Sequence, residues 1–289
     1  MNYIKDMNNA LDYIEKNINK DISQEEVARV AHISKFHFLR IFNILTGMTL
    51  AQYIRERRLT LAAKEIMSTN MKIIDISYKY GYETPEAFTK AFKALHKVSP
   101  TEARKKGETL RATTPISFQL TVKGEKRMDY KIVSKDSFKV VGLSRRFSTK
   151  NGENFKEIPK FWDEVNSSEI DNILINNQGD LGILGICTGF CEAKDEMKYM
   201  IAVQGDEIEA LKSYKDYEVF EIPKSTFAVF ESIGPMPNSI QNTWHKIFAE
   251  WFPATQYEHA NAPEFEAYFS GDPHGEDYRC EIWIPIIEK

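Results

Sequence analysis

The sequence predicts a multidomain chain: an all-α unit of two helix-turn-helix motifs, then an α+β unit of two strand–helix–strand–strand repeats. Three observations carry this. Over residues 1–107 the apolar side chains recur at a helical period, interrupted by capping residues and tight turns. From residue 128 the pattern becomes strands mixed with helices, and the order of elements repeats at a spacing of roughly 85 residues. The charge divides along the same boundary. Residues 1–107 carry 18 Lys+Arg against 12 Asp+Glu, and residues 108–289 carry 20 against 30. A basic first part suits a polyanion, whereas an acidic second part repels one.

In order along the chain, Ile4, Met7, Leu11, Ile14 and Ile18 give a first helix within residues 2–19. Ser23 with Glu26 forms the pattern of a capping box and opens a second helix through residue 31. Ser34 caps a third, which ends near Gly47. Thr49 with Gln52 repeats the capping-box pattern and starts a long helix through Tyr53, Leu59 and Ile66. Residues 73–80, a turn at Gly81, and residues 84–95 make the second helix-turn-helix, with Pro85 just inside the helix start. Ser99 and Pro100 open a last short helix. Residues 108–127 have poor apolar spacing and a helix-breaking TTP at 113–115, so they are expected to be a linker. Within them, residues 118–122 fit a short strand or an extended stretch.

In the second unit, residues 138–143 read as a strand, 155–165 as a helix carrying Phe161 and Trp162, and 181–188 with 197–203 as a strand pair. The order then recurs: strand 225–232, helix 239–251, strands 265–269 and 280–286. Trp162 and Trp244 fall at similar places in the two helices.

Composition narrows the function classes. No run of about 18 apolar residues exists, so no membrane partner is expected. Residues 1–12 carry acids and no apolar stretch of a signal peptide. Three cysteines, 187, 191 and 280, are too few and too uneven for a disulfide framework, which fits a reducing cytoplasm. No phosphate-binding glycine loop, nucleophile elbow or metal-ligand spacing occurs. No catalytic residue, metal or cofactor is therefore assigned.

A helix that reads bases lays its outer face in the major groove. In residues 34–42 (SKFHFLRIF), Phe38, Ile41 and Phe42 are spaced to pack inward, leaving Lys35, Phe36, His37, Leu39 and Arg40 outward. In the second motif, Ala87, Phe88, Ala91 and Phe92 pack inward, leaving Pro85, Glu86, Thr89 and Lys90 outward beside the capping Thr84. Arg40 fits guanine and Glu86 fits cytosine.

The run at 34–42, Gly47, residues 54–59 (IRERRL), Ile76, Gly81-Tyr82, Phe88, Phe92 and Ser99-Pro100 strongly resemble the AraC/XylS family of transcription regulators, nearest its Rob/MarA-like branch. The resemblance covers about residues 5–105. It implies base contacts from Phe36, Leu39 and Arg40 and from Pro85, Glu86 and Lys90, and one chain reading two adjacent grooves of promoter DNA. It also implies a transcription activator, a contact with RNA polymerase and multidrug sensing. Phe36 and Leu39 stand where Trp and Gln are usual, so the operator is this chain's own.

Residues 140–143 (VVGL), 161–164 (FWDE), 233–235 (IGP), Trp244, 265–268 (FEAY) and 281–285 (EIWIP) resemble a GyrI-like effector-binding domain over about residues 128–288. The resemblance implies a ligand cleft between the repeats, with an acidic residue on a late strand facing it. Glu266 matches that position. Strand alternation puts Tyr268 on its face and pairs Glu281 with Trp283 on the next strand. Trp162, Tyr199, Tyr268, Glu281 and Trp283 join Glu266 as the candidate site for a small cationic, amphiphilic effector. The alternative reading makes this unit a small-molecule hydrolase, with Glu266 as base, or a ligand-sequestering or protein-binding module.

Overall fold

A computed structural model describes residues 3–105, 109–119, 128–191 and 194–288, and it divides into two compact units, residues 1–120 and 121–289. The first is helical: α1 (Tyr3–Lys16), α2 (Gln24–Val30), α3 (Lys35–Thr46), α4 (Leu50–Ser68), α5 (Ile73–Lys79), α6 (Pro85–His96) and α7 (Pro100–Ala103). The caps act where the sequence put them. Ser23, Ser34, Thr49 and Thr84 each accept a hydrogen bond from the backbone N–H three residues on. The boxes expected at Ser23 and Thr49 are half formed, because the side chains meant to reach back are taken. Glu26 accepts from Tyr13 Oη at 2.6 Å, and Gln52 donates to Glu56 at 2.9 Å. The complete box is Ser99 with Glu102.

Two small cores sit on either side of α4. Phe38, Ile41 and Phe42 are fully buried with Tyr53 in the first. Leu59, Ile66, Ile76, Phe88 and Phe92 form the second. Gly81 lies in the left-handed region at φ 79°, and a Cβ there would stand 2.9 Å from Arg58 Nη1. A glycine is thus needed for the second turn to close over α4. Arg57 of α4 is buried and makes a two-pronged pair with Glu15 of α1, Nε to Oε1 at 2.9 Å and Nη2 to Oε2 at 2.7 Å. Tyr53 Oη donates to the same carboxylate at 2.7 Å.

His96 ends α6 inside the second core, its ring tilted against Phe92 with centroids 4.3 Å apart and Nε2 3.3 Å from the Leu59 carbonyl. Burial lowers its pKa. A histidine held neutral in the folded state must charge when the chain unfolds, so its contribution to stability is present above the unfolded pKa of about 6.5 and is lost as pH falls from there through the lowered folded value. His96→Gln should flatten the acid side of the stability curve, as denaturant midpoints between pH 7 and 5 would record. A slope identical to that of the wild type would refute the assignment.

The segment expected as a linker is partly docked. Leu110 packs into the second core, and residues 113–118 hydrogen-bond to α4 and α1. Residues 120–122 of the possible strand lie outside the described residues, and 118–119 are in neither strand nor helix.

The second unit contains β1 (Tyr130–Lys135), β2 (Phe138–Ser148), α8 (Asn154–Asn166), α9 (Glu169–Asn177), β3 (Ile183–Cys191), β4 (Glu196–Gln204), β5 (Tyr217–Ile222), β6 (Ser225–Ile233), α10 (Asn238–Lys246), α11 (Phe252–Ala254), β7 (Tyr257–His259), β8 (Glu264–Tyr268) and β9 (Arg279–Glu288). A π-helical turn over Ile247–Trp251 joins α10 to α11. The expected repeat is present as β2–α8–β3–β4 and β6–α10–β8–β9. One antiparallel sheet contains both, in the order β1-β6-β9-β8-β3-β4-β2-β5, with β7 added on β9. The repeats meet at β3 and β8.

The leading strands are exchanged. β1 precedes β2 in sequence but pairs with β6, and β5 precedes β6 but pairs with β2. Only residues 136–137 join β1 to β2, although five strands lie between them in the sheet. A flat sheet would separate them by about 29 Å, and the link spans at most about 11 Å. The sheet must therefore curl until its ends approach. Asp136 and Lys224, one in each crossing link, form an ion pair at 2.8 Å, and Phe138 reaches Phe265 of β8 at 6.2 Å between rings. The curl closes over an apolar core of Val140, Leu184, Ile186, Met200, Phe227, Phe265 and Trp283. Helices α8 and α10 cover the other face.

Candidate functional site

The helix-covered face of the β3–β8 junction carries the candidate site. On β8, Glu266 and Tyr268 point to this face because Phe265 and Ala267 point into the curled core. Glu266 is half-buried. It accepts hydrogen bonds from Trp244 Nε1 of α10 at 2.6 Å and from Tyr268 Oη at 2.7 Å. Burial, and then the neighbouring Glu266 carboxylate, raise the Tyr268 pKa well above its usual value, so it stays a proton donor. Trp162 of α8 closes the other side, edge-on to Tyr268 with ring centroids 5.1 Å apart, and its Nε1 donates to Tyr199 Oη at 3.0 Å. Among the described residues, no Lys, Arg or His pairs with Glu266.

Gly185 of β3 stands directly opposite Glu266. A Cβ there would be 2.2 Å from Tyr199 Oη and 3.1 Å from the Trp162 ring. The missing side chain is what lets Tyr199 lie over β3. The two repeats thus fill equivalent places differently. Trp244 donates to a carboxylate in the second half, while Trp162 donates to a phenol in the first.

Of the six candidate residues, Glu266, Tyr268, Trp162 and Tyr199 come together. Glu281 and Trp283 do not, and the expectation that they line the same site is corrected. In the β8–β9 register Glu266 faces Ile282, while Phe265 faces Trp283 and Ala267 faces Glu281. Directly paired residues share a face, so Glu281 and Trp283 lie on the opposite side of the sheet. There Trp283 Nε1 donates to Glu281 at 2.8 Å and Lys131 pairs with the same carboxylate at 2.7 Å. Trp244 and Gly185 were not selected from the sequence. The matching positions of the two tryptophans signalled the first; nothing in the sequence distinguished the second from other strand glycines. Cys280, paired with Tyr268, is buried on the Glu266 face, and burial pushes its thiol up to about 11, so it is not a ready nucleophile.

In the first unit, α3 and α6 present the expected outer faces with two corrections. Phe36, Leu39 and Arg40 are half-buried on α3. On α6, Glu86, Lys90 and the capping Thr84 are exposed, while Pro85 and Thr89 are half-buried. Lys35, expected outward, is buried at 6 % exposure, with Nζ 2.6 Å from Glu25 Oε1. The Lys35 hydrogen bond is the largest influence holding the Glu25 carboxyl down to about 2. This pair ties the start of α3 to the start of α2, and Lys35 is structural. Ala87, expected inward, is exposed, because Phe88 takes the core position beside it.

Residues 131–286 match the family model described as integron-associated effector binding protein, and residues 27–106 match a helix-turn-helix domain model. The chain belongs to that effector-binding family, its GyrI-like domain preceded by an AraC-type helix-turn-helix domain. It is 34% identical over 143 residues to the uncharacterized HTH-type transcriptional regulator YbfP of Bacillus subtilis, a match covering 43% of this chain and about half, 48%, of that protein. It is 35% identical over 98 residues to the multiple antibiotic resistance protein MarA of Escherichia coli, covering 34% of this chain and 77% of that one. Among solved structures, SAV2435 bound to tetraphenylphosphonium is 28% identical, with 55% of this chain and 94% of that chain covered at a TM-score of 0.48. No helix among the described residues is long and apolar enough to cross a membrane.

Proposed function

We propose that this protein is a DNA-binding transcription regulator whose second unit binds an amphiphilic cation. The carrying observation is Glu266. A half-buried carboxylate held by two neutral donors and flanked by an aromatic face lacks a counter-charge. Burying a charge is costly unless it is paired, and aromatic faces attract cations. A cation with apolar substituents supplies both partners. Titration with a quaternary aryl-ammonium ion and with its neutral tert-butyl isostere tests this. The cation should bind at least about tenfold more tightly, and equal affinities would defeat the reading.

Binding without turnover is the reading favoured here. Tyr268 is held protonated and donates to one Glu266 oxygen while Trp244 Nε1 donates to the other, so both oxygens are already engaged by protein donors. Mass spectrometry of the bound compound after long incubation should return it unchanged. Recovery of a hydrolysed product would restore the enzyme alternative.

For DNA, we assign Arg40 and Glu86 as polar base readers and Lys90 as a phosphate contact, with Phe36, Leu39, Thr84, Pro85 and Thr89 beside them. Phe36 and Leu39 meet apolar base edges such as the thymine methyl. Activation through RNA polymerase fits the family resemblance and is part of this proposal. Arg40→Ala should weaken binding to duplexes selected from a random pool by about 10- to 100-fold and relax preference at one base position. Lys90→Ala should lower affinity for all duplexes alike and reduce the salt slope by about one. Anisotropy titrations across a salt series separate the two, and an Arg40→Ala chain with unchanged base preference would remove that residue from the readers.

A further inference from the structure

We propose that residues 109–119 act as a strap that sets the mutual orientation of the two DNA-reading helices, so that DNA affinity depends on this segment being docked. Its two ends hold different halves of the first unit. At one end Leu110 packs against the core cluster that contains Leu59, Phe88 and Phe92. At the other, the Phe118 backbone makes a reciprocal pair with Asn8 of α1, N–H to Oδ1 at 2.8 Å and Nδ2 to carbonyl at 2.8 Å. Between them the strap follows one face of α4, the helix that joins the two motifs. Thr113 N–H donates to Thr60 Oγ1 at 3.0 Å, Thr113 Oγ1 donates to Glu56 at 3.1 Å, and Ile116 N–H donates to Tyr53 Oη at 3.2 Å.

Positions 53, 56, 57 and 60 of α4 all serve this segment, at the spacing of a single helix face. The fourth, Arg57, sends Nη1 to the Thr113 carbonyl at 2.6 Å, and that bond completes a buried guanidinium otherwise committed to Glu15. An extended segment normally satisfies its backbone with a neighbouring strand or with water. This one uses side chains from α1 and from α4, the helix shared by both halves. Only ten residues separate Gln119 from Tyr130, so the strap is also the covalent lead into the second unit.

The inference rests on the DNA-binding reading above, and the full-length chain tests both. Asn8→Ala removes both bonds to Phe118 and little else. Amide hydrogen exchange over residues 112–119 should rise, and affinity for the selected duplexes should fall about three- to tenfold, the worth of one or two net hydrogen bonds. The thermal midpoint should move by only a few degrees, about what a loss of that size produces. Asn8→Asp, which keeps the acceptor for the Phe118 N–H, should fall between Ala and wild type. Faster exchange with unchanged DNA affinity overturns the proposal. Where Asn8→Ala alone leaves the segment protected, the Asn8→Ala/Thr60→Val double variant, which also removes the Thr113 bond, should raise exchange and lower affinity together, and unchanged affinity there overturns the proposal. A wild-type chain that binds no duplex overturns the DNA reading, and the strap with it, and that result is distinct from a variant that binds as well as the wild type.

Discussion

Glu266→Gln should weaken binding of a quaternary aryl-ammonium ion by about 30- to 100-fold, the lower part of the range for losing one member of a desolvated charge pair. Two effects add. The ligand loses its counter-charge, and the site loses an acceptor. Trp244 Nε1 and Tyr268 Oη both donate to the carboxylate, at 2.6 and 2.7 Å. A carboxamide has a single acceptor oxygen and presents N–H groups in place of the other, so one buried donor goes unmet. The neutral isostere should bind the variant about as it binds the wild type. Trp162 and Trp244 flank the site and serve as fluorescence reporters, with calorimetry as the check. Equal loss of affinity for cation and isostere would mean that the substitution reshaped the site, and the electrostatic role would fall.

Arg57→Ala should be the most damaging single change to the first unit, at about 3 kcal/mol or more. Both partners are largely out of water, with side chains 7% and 23% exposed for Arg57 and Glu15. Removing the guanidinium leaves the Glu15 carboxylate with Tyr53 alone and leaves the Thr113 carbonyl without its donor. Glu15→Ala/Arg57→Ala should cost less than the two single changes together, because no unpaired charge remains. Burial pushes the Glu15 pKa up, but the hydrogen bonds from Arg57 and Tyr53 outweigh it and hold the carboxyl below its usual value. A depressed carboxyl contributes stability that is present above the unfolded carboxylate pKa of about 4.3 and is lost as pH falls through the folded value. Denaturant unfolding of the four chains at pH 7 and pH 4 measures both effects. Strict additivity at pH 7 would mean that the pair is not coupled.

The helical unit was legible because its signals are local. A capping side chain, a proline at a helix start and a glycine at a turn each act within four residues, and every cap expected from the sequence accepts its bond. Lys35 misled for the opposite reason. Helical spacing put it outside, and only the packing of α2 against α3 brings Glu25 to it. In the second unit the repeat was visible in the order of elements, but β1, β5 and α9 were not. β1 and β5 are edge strands without a clean alternation of buried and exposed residues, and α9 is nine residues long with only Ile170 and Leu174 buried. The site divides along the same line. Alternation within a strand correctly paired Glu266 with Tyr268 and Glu281 with Trp283. Which pair shares a face with which depends on the β8–β9 register, a one-residue matter that alternation alone does not fix. The docked part of residues 109–119 was illegible because side chains far away in sequence satisfy its backbone.

The crossed strands of the second unit make each half dependent on the other for closure. A lone repeat with its leading strand has one strand to give away and one vacancy to fill, so two copies of such a chain would complete one another as a symmetric dimer. Carrying both copies in one chain removes the need for a second molecule and releases the halves from identity. Gly185 and Glu266, facing each other across the seam, show what that freedom allows. A true dimer would place matching groups on both sides of its axis and would offer two equivalent anchors. Among the described residues this chain has one such carboxylate, Glu266, so the proposed anchor predicts a single ligand for each protein.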